Sequence, residues 1–315
     1  MADFSLLLWA VIPPLLFLLL YYRRIPAAPP LSHLLLFFIF GAISGFLALR
    51  LEEWVAHWQQ IPHSFLGKAL RQLLEVGPIE EGCKLAAVVA PTYHLQRRYR
   101  LRATTVFLFT IAVSLGFTAE ENWIYLFHGT ASAVERSIGT PVHAMFSAPW
   151  GYAWGIYISS SMRLNRDRNL IFRAGLNSVI CHALANILSS AWGYPPPLRF
   201  LSSGLFPFLV WMFWRLEQLL RRVQGKRPIP LISGYTLQRR YWQRGLVLFT
   251  LILSGNALFG LFILIRKLLP LRPVQLLYPD ISMFILRQLL LNLSFGVLAW
   301  IIYRYLRHSA RRRYF

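Results

Sequence analysis

Residues 103–128 read ATTVFLFTIAVSLGFTAEENWIYLFH, with no charge before Glu120 and then Glu120-Glu121-Asn122 close to the end. A helix crossing the hydrocarbon core of a bilayer takes about 20 such apolar residues. Outward from this stretch the pattern recurs. Apolar runs cover approximately 3–22, 32–50, 72–93, 103–128, 138–162, 170–192, 198–216, 245–265 and 281–303. The 315 residues are 56% hydrophobic and 14% charged, with a mean hydropathy of +0.48. A soluble domain carries about 25% charged residues, so the composition excludes a water-soluble enzyme, a disordered chain and a fibrous protein. The expected fold is all-α: a polytopic membrane helix bundle of about nine transmembrane helices, forming one integral membrane domain over 1–315. Breaks such as Pro26–Pro30 and Pro195-Pro196-Pro197 read as turns. Residues 217–244 are basic and contain Pro228, Pro230 and Gly234, so they read as a cytoplasmic loop against anionic lipid headgroups.

The net charge of +21 arises from 33 Lys and Arg against 12 Asp and Glu. In a soluble chain this would point to nucleic acid. Here the basic residues sit in short gaps between apolar runs, so no nucleic-acid partner is expected. Alternate gaps, starting after the first run, hold 23 of them and the other gaps hold 8. By the positive-inside rule this puts the N-terminus outside and the C-terminus in the cytoplasm. The first run has Asp3 before it and Arg23-Arg24 after it, the reverse of a secretory signal, so an uncleaved first span is expected. Two cysteines, Cys83 and Cys181, are too few for a disulfide framework and read as small buried hydrophobes. Glycines in spans two, five and eight permit close helix packing.

The acidic residues are scarcer and more informative. A charge at the bilayer centre costs about 2.5–3.5 kcal/mol on insertion scales, so such residues face a bundle interior and mark function. Four clusters qualify. The first is Pro78-Ile79-Glu80-Glu81-Gly82-Cys83-Lys84, where Glu80 and Lys84 are an i,i+4 ion pair and one Lys cannot neutralise two Glu. Gly77-Pro78 reads as a helix start or kink; a start there would put both carboxylates near the positive end of the helix dipole. The second is Gly116 through Tyr125, with Glu121 and Tyr125 on one face and Trp123 in the aromatic belt. The third is Arg136-Ser137 followed by Pro141 through Ser147, containing His143. The fourth is His182 to Asn186, one helical turn apart on one face. Counting residues from the span ends puts Glu80, Glu121, His143 and His182 roughly 9–15 Å below the outer face. That common depth implies one polar site, lined by spans three to six, in a catalytic four-helix core over 72–192.

A carboxylate beside an imidazole in a wet pocket can deprotonate water, and hydrogen-bond donors nearby can stabilise an oxyanion; these are the parts of amide hydrolysis. No Gly-x-Ser-x-Gly, intramembrane Asp pair or His-Glu-x-x-His is present, so the serine, aspartyl and zincin routes lack their residues. The four clusters together resemble the PrsW family of intramembrane proteases. Glu80-Glu81-Gly82-Cys83-Lys84 is similar to its EExxK motif, and Phe117 through Asn122 to its F…EN segment. Arg136 with His143-Ala144-Met145-Phe146 is similar to R…HAxF, and His182 to Asn186 to HxxxN. Order and spacing match over about 72–192, and the flanking spans carry no matching motif. The family is distantly similar to the CPBP, or CAAX-processing, glutamic membrane proteases, whose first motif ends in Arg where Lys84 stands.

The resemblance implies a bacterial multi-pass protein of the cell (inner) membrane. It would cleave a single-span membrane substrate, such as an anti-sigma factor, on the extracytoplasmic side. In the carried-over roles Glu80, shared with Glu81, activates water; which of the two is the base stays open. His143 assists, and His182 and Asn186 stabilise the oxyanion. Lys84 tunes the carboxylates, while Glu121, Asn122, Arg136 and Phe117 support them. The CPBP comparison implies a metal-free mechanism and no cofactor, with zinc as the alternative because Glu, Glu, His and His suit three-ligand-plus-water coordination. A proton-coupled transporter and a non-catalytic membrane scaffold are the competing functions.

Overall fold

The computed structural model describes residues 2–58, 64–159 and 168–311. Positions 160–162 at the end of the fifth run, and Arg163 and Arg166 of the gap after it, lie outside the described residues. Every element among the described residues is helical. The helices are α1 (Ala2–Arg24), α2 (Leu31–Trp58), α3 (Phe65–Arg71), α4 (Gly77–Tyr99), α5 (Ala103–Phe127), α6 (Ala133–Gly139), α7 (Val142–Ser159), α8 (Arg168–Ser190), α9 (Leu205–Val223), α10 (Leu237–Leu268) and α11 (Pro279–Arg311). Six stretches are long and apolar enough to cross a membrane by length and composition: Phe4–Arg24, Leu31–Trp58, Ala103–Phe127, Asn169–Gly193, Leu237–Leu268 and Pro279–Ala310. The chain is a polytopic helical membrane protein. Helices α4, α7 and α9 fall outside the six for a physical reason. α4 carries Glu80, Glu81 and Lys84, α7 is diluted by His143, Ser147, Pro149 and its Trp, Tyr and Gly residues, and α9 ends in a charged half containing Arg215, Glu217, Arg221 and Arg222.

The chain divides into two compact units, residues 1–187 with 215–227, and residues 188–214 with 228–315. In the first unit α5 is central and packs against α1, α2, α4 and α7. Most of its side chains are buried among those helices, so it needs little contact with lipid. Glycine sets the α2–α5 approach. A Cβ on Gly41 would collide with the Val113 carbonyl, and one on Gly116 with the Phe38 carbonyl. With the backbones this close, the Phe37 and Phe109 rings stack with centroids 3.9 Å apart. At the far end of α1, Arg24 holds Glu217 with two hydrogen bonds of 2.6 and 2.5 Å, and the Tyr21 hydroxyl donates to the same carboxylate at 3.2 Å. In the second unit α10 packs on α11, with Pro207 against Gly255 and Asn292 against Gly260.

Two boundaries differ from expectation. Helix does not begin at Gly77-Pro78: α3, capped by the Ser64 hydroxyl, runs into a π-helical turn, Gln72–Val76, and on into α4. Pro78 has no N–H to give to the turn before it, and a widened turn accommodates its ring without ending the helix. The carboxylates of Glu80 and Glu81 therefore sit inside a continuous helix and not at a positive dipole end. The basic segment 217–244 is also mostly helical. α9 continues to Val223 and α10 starts at Leu237, capped by Thr236, which leaves residues 224–236 as the connection. The charges of α9 extend it because they lie on a polar face instead of breaking it.

Replacing Gly116 by Leu is expected to lower stability by about 1–3 kcal/mol through overpacking. Gly82→Ala, where a Cβ meets open space, is expected not to lower it. Thermal unfolding of the detergent-solubilised protein checks the contrast.

Candidate active site

The site assembles around a cation. Lys84 is fully buried, and its Nζ donates to Glu80 Oε2 at 3.1 Å, Glu81 Oε1 at 3.0 Å and His143 Nδ1 at 2.9 Å. The Phe117 ring covers it, 3.8 Å from Nζ to centroid. Glu80, Glu81 and Lys84 are three and four residues apart on α4, so one helical face presents both carboxylates to one ammonium. One Lys cannot neutralise two Glu, yet neither carboxylate lacks a partner. Lys84 reaches both, and other helices meet the remaining demand of Glu81. Glu81 Oε2 accepts from Ser147 Oγ and Trp150 Nε1, both at 2.9 Å. Its Oε1 is 3.2 Å from His182 Nδ1.

The two carboxylates thus differ. Glu81, 3% exposed, has four partners on its two oxygens. Glu80, 8% exposed, accepts a single hydrogen bond among the described residues, from Lys84.

The imidazoles are oriented by their partners. Lys has only donors, so His143 Nδ1 must accept, and its Nε2 then donates to Glu121 Oε2 at 2.8 Å. An ionised carboxylate has only acceptors, so His182 Nδ1 donates to Glu81 and its Nε2 carries the lone pair. As neutral imidazoles the two rings would be opposite tautomers. Both lone-pair nitrogens approach the same atom, Glu80 Oε2: His143 Nδ1 at 3.8 Å and His182 Nε2 at 3.7 Å. Phe146 stacks on His182 with centroids 4.7 Å apart. A further layer fixes Glu121. Arg136 on α6 donates to Glu121 Oε2 at 2.7 Å and to Asn122 Oδ1 at 2.6 Å, with its guanidinium over the Tyr125 ring. α6 is itself started by a Ser132–Glu135 capping box.

Glu80, Glu81, Lys84, Phe117, Glu121, Asn122, Arg136, His143 and His182 are therefore brought together. Asn186 is not. It lies one turn beyond His182 on α8, but its amide donates to Gln72 Oε1 at 2.8 Å, in the π-helical turn. Of the cysteines, Cys181 is buried and Cys83, next to Lys84, is partly exposed. Sequence reading missed Ser147, Trp150 and Gln72 as participants. The first two were findable, since His143, Ser147 and Trp150 fall at i, i+4 and i+7 on one face of a helix.

Glu80, His143 and His182 each offer one donor atom, all within 4.8 Å of one another. Tetrahedral zinc, with bonds of about 2.0–2.1 Å, sets its donors roughly 3.4 Å apart. The spacings of 3.7 and 3.8 Å at Glu80 are within a few tenths of that. Each imidazole also gives its other nitrogen to a carboxylate, the arrangement that orients metal-bound histidines. The donor set fits a metal, while Lys84 shares the His143 donor atom.

A polytopic helical membrane protein with this buried Glu–His centre is built as an intramembrane hydrolase. Residues 29–213 match the family model described as PrsW family intramembrane metalloprotease, and the chain belongs to that family. It is an intramembrane protease. Among curated proteins it is similar to Protease PrsW of Shouchella clausii (strain KSM-K16), 25% identical over 224 residues, 69% of this chain and 98% of that relative. It is also similar to Protease PrsW of Clostridioides difficile (strain 630), 24% identical over 165 residues, 50% of this chain and 68% of that relative. No solved structure matches.

Lys84→Met leaves two carboxylates facing the protein interior without their cation, and is expected to cost about 3–5 kcal/mol. The penalty should shrink when Glu80→Gln is already present, giving a coupling energy in a double-mutant cycle. Unfolding of the four proteins in detergent measures it.

Proposed function

We propose that this protein is an endopeptidase whose reaction centre is Glu80, His143 and His182. The observation that carries the reading is the convergence of one Glu80 carboxylate oxygen and two imidazole nitrogens on one spot, with Lys84 holding the His143 nitrogen and the Glu80 oxygen. Lys84 already donates to Glu80 Oε2 and His143 Nδ1, so the acceptors left without a donor among the described residues are the other Glu80 oxygen and His182 Nε2, and these call for a water, or a cation with its water. Glu80 is the base, because Glu81 has no oxygen left to accept a proton while Glu80 does. The Lys84 ammonium, bound to both carboxylates, offsets negative charge as it builds on the attacked carbonyl. That role replaces Asn186, whose amide is engaged by Gln72, and neutral His182, whose facing nitrogen is an acceptor. Glu121 and Arg136 hold His143 in the tautomer that the site needs.

If a metal serves the reaction, Glu80, His143 and His182 would hold it. Bound there, it would supply a Lewis acid and a water of lowered pKa. The substrate we infer is a single-span membrane protein of anti-sigma-factor type, cut near the extracytoplasmic side. The enzyme would lie in the bacterial cell (inner) membrane with nine spans, N-terminus outside. Supporting that topology are the alternation of basic gaps and nine described helices of 18 residues or more, in register with the nine apolar runs. Nucleic acid plays no part.

Co-expression with single-span substrates tests the activity. Glu80→Gln, His143→Ala and His182→Ala should each reduce cleavage about 10²–10⁴-fold at unchanged protein level; full cleavage by Glu80→Gln would refute the assignment. Metal analysis of the purified protein, with a chelator arm, separates the two water-activating routes. Under the metal route one ion per chain disappears in His143→Ala. Topology is checked by thiol labelling: Arg97→Cys should react only from the cytoplasm and Thr130→Cys only from outside.

A further inference from the structure

We propose that Ser147 and Trp150 are positioning residues of the reaction, acting on His182 through Glu81. The inference rests on the reading of Glu80, His143 and His182 as the reaction centre. Both lie just beyond His143-Ala144-Met145-Phe146, the segment similar to HAxF, and neither is one of its motif positions. Both are fully enclosed, Ser147 at 0% and Trp150 at 1% exposure, and both aim their one hydrogen-bond donor at the same atom, Glu81 Oε2. Trp150 is also among the largest fully buried side chains in the chain. An indole N–H and a hydroxyl from α7 converge on one carboxylate oxygen of α4, where one donor would already satisfy a buried acceptor. Lys84 already supplies the counter-charge to Glu81, through the other oxygen, Oε1.

What the two extra donors add is direction. A carboxylate held by Lys84 alone can turn about its last side-chain bond. With Oε2 pinned from two sides, the plane of the group is set and Oε1 stays 3.2 Å from His182 Nδ1. That contact keeps the proton of the neutral ring on Nδ1 and leaves the Nε2 lone pair facing Glu80, 3.7 Å away. Loss of the pins frees Glu81 to rotate, and His182 then takes either tautomer. In the wrong one an N–H and not a lone pair faces the reaction centre. The parallel with His143 is direct: there Glu121, pinned by Arg136, does the same from the opposite side. Each imidazole therefore has a carboxylate behind it, and each carboxylate has its own neutral or cationic donors behind that.

The test uses the full-length protein with near-isosteric variants, Ser147→Ala, Trp150→Phe and the pair together. Each single variant should lower kcat about tenfold or more, as expected for one lost hydrogen bond to a charged group, with KM unchanged. The double variant should fall further. A second readout does not depend on cleavage. Nitrogen NMR of histidine-labelled protein, with His182 assigned by a His182→Gln sample, should show one tautomer in the parent and a mixture in the double variant. The His143 signal should not move. A double variant that keeps kcat within twofold of the parent, or a His182 signal that does not change, overturns the proposal. So does a loss of activity that only follows a loss of folded protein. If the parent and Glu80→Gln are equally inactive, the peptidase mechanism fails instead, and the His182 signal still decides the positioning role.

Discussion

An ammonium group with no exposure to solvent can exist only where acceptors replace the water it lost. Lys84 is in that position, and what replaces the water comes from three helices: Glu80 and Glu81 from α4, His143 from α7 and the Phe117 face from α5. Packing of these helices is thus tied to a charge that none of them could bury separately. The same contact sets the chemistry. Because Lys84 only donates, His143 is left with its lone pair toward the site and its proton toward Glu121. Three carboxylates, Glu80, Glu81 and Glu121, face two fixed cations, Lys84 and Arg136. With neutral imidazoles the cluster carries one net negative charge, a setting that favours a cation or a polarised water beside Glu80.

Much of this was legible in the sequence because a membrane makes polar residues conspicuous. Glu80, Lys84, His143 and His182 stand out from apolar neighbours, and the one-turn spacing of Glu80 and Lys84 gives their contact directly. What was not legible has definite causes. Three of the four partners of Glu81 come from α7 and α8, and no period within α4 announces a donor on another helix. Asn186 shares a face with His182, which suggested a shared task, but one turn along α8 shifts it by about 5.4 Å. That distance is enough for it to meet Gln72. The π-helical turn at Gln72–Val76 leaves no sequence signature beyond Pro78, which reads equally well as a start, a kink or a widened turn. The charged end of α9 reads as loop from sequence because charge count alone does not separate a solvated helix face from a connection.

Hydrolysis within a membrane sets two demands that oppose each other. Polar groups must be satisfied, or burial costs too much, and some must be left unsatisfied, or nothing binds water. The arrangement here answers by layers. Glu81, Glu121, Arg136, Ser147 and Trp150 have their hydrogen bonds within the cluster, and Asn122 accepts from Arg136 while donating to the Ala10 carbonyl of α1. The unspent acceptor capacity is gathered at Glu80 and at His182 Nε2, since His143 Nδ1 accepts from Lys84. Two carboxylates adjacent in sequence therefore need not share one task. Glu81 is consumed in holding its neighbours in place, which is what leaves Glu80 available. A design with both carboxylates open would carry two incompletely solvated charges in the interior; one with both saturated would have no base.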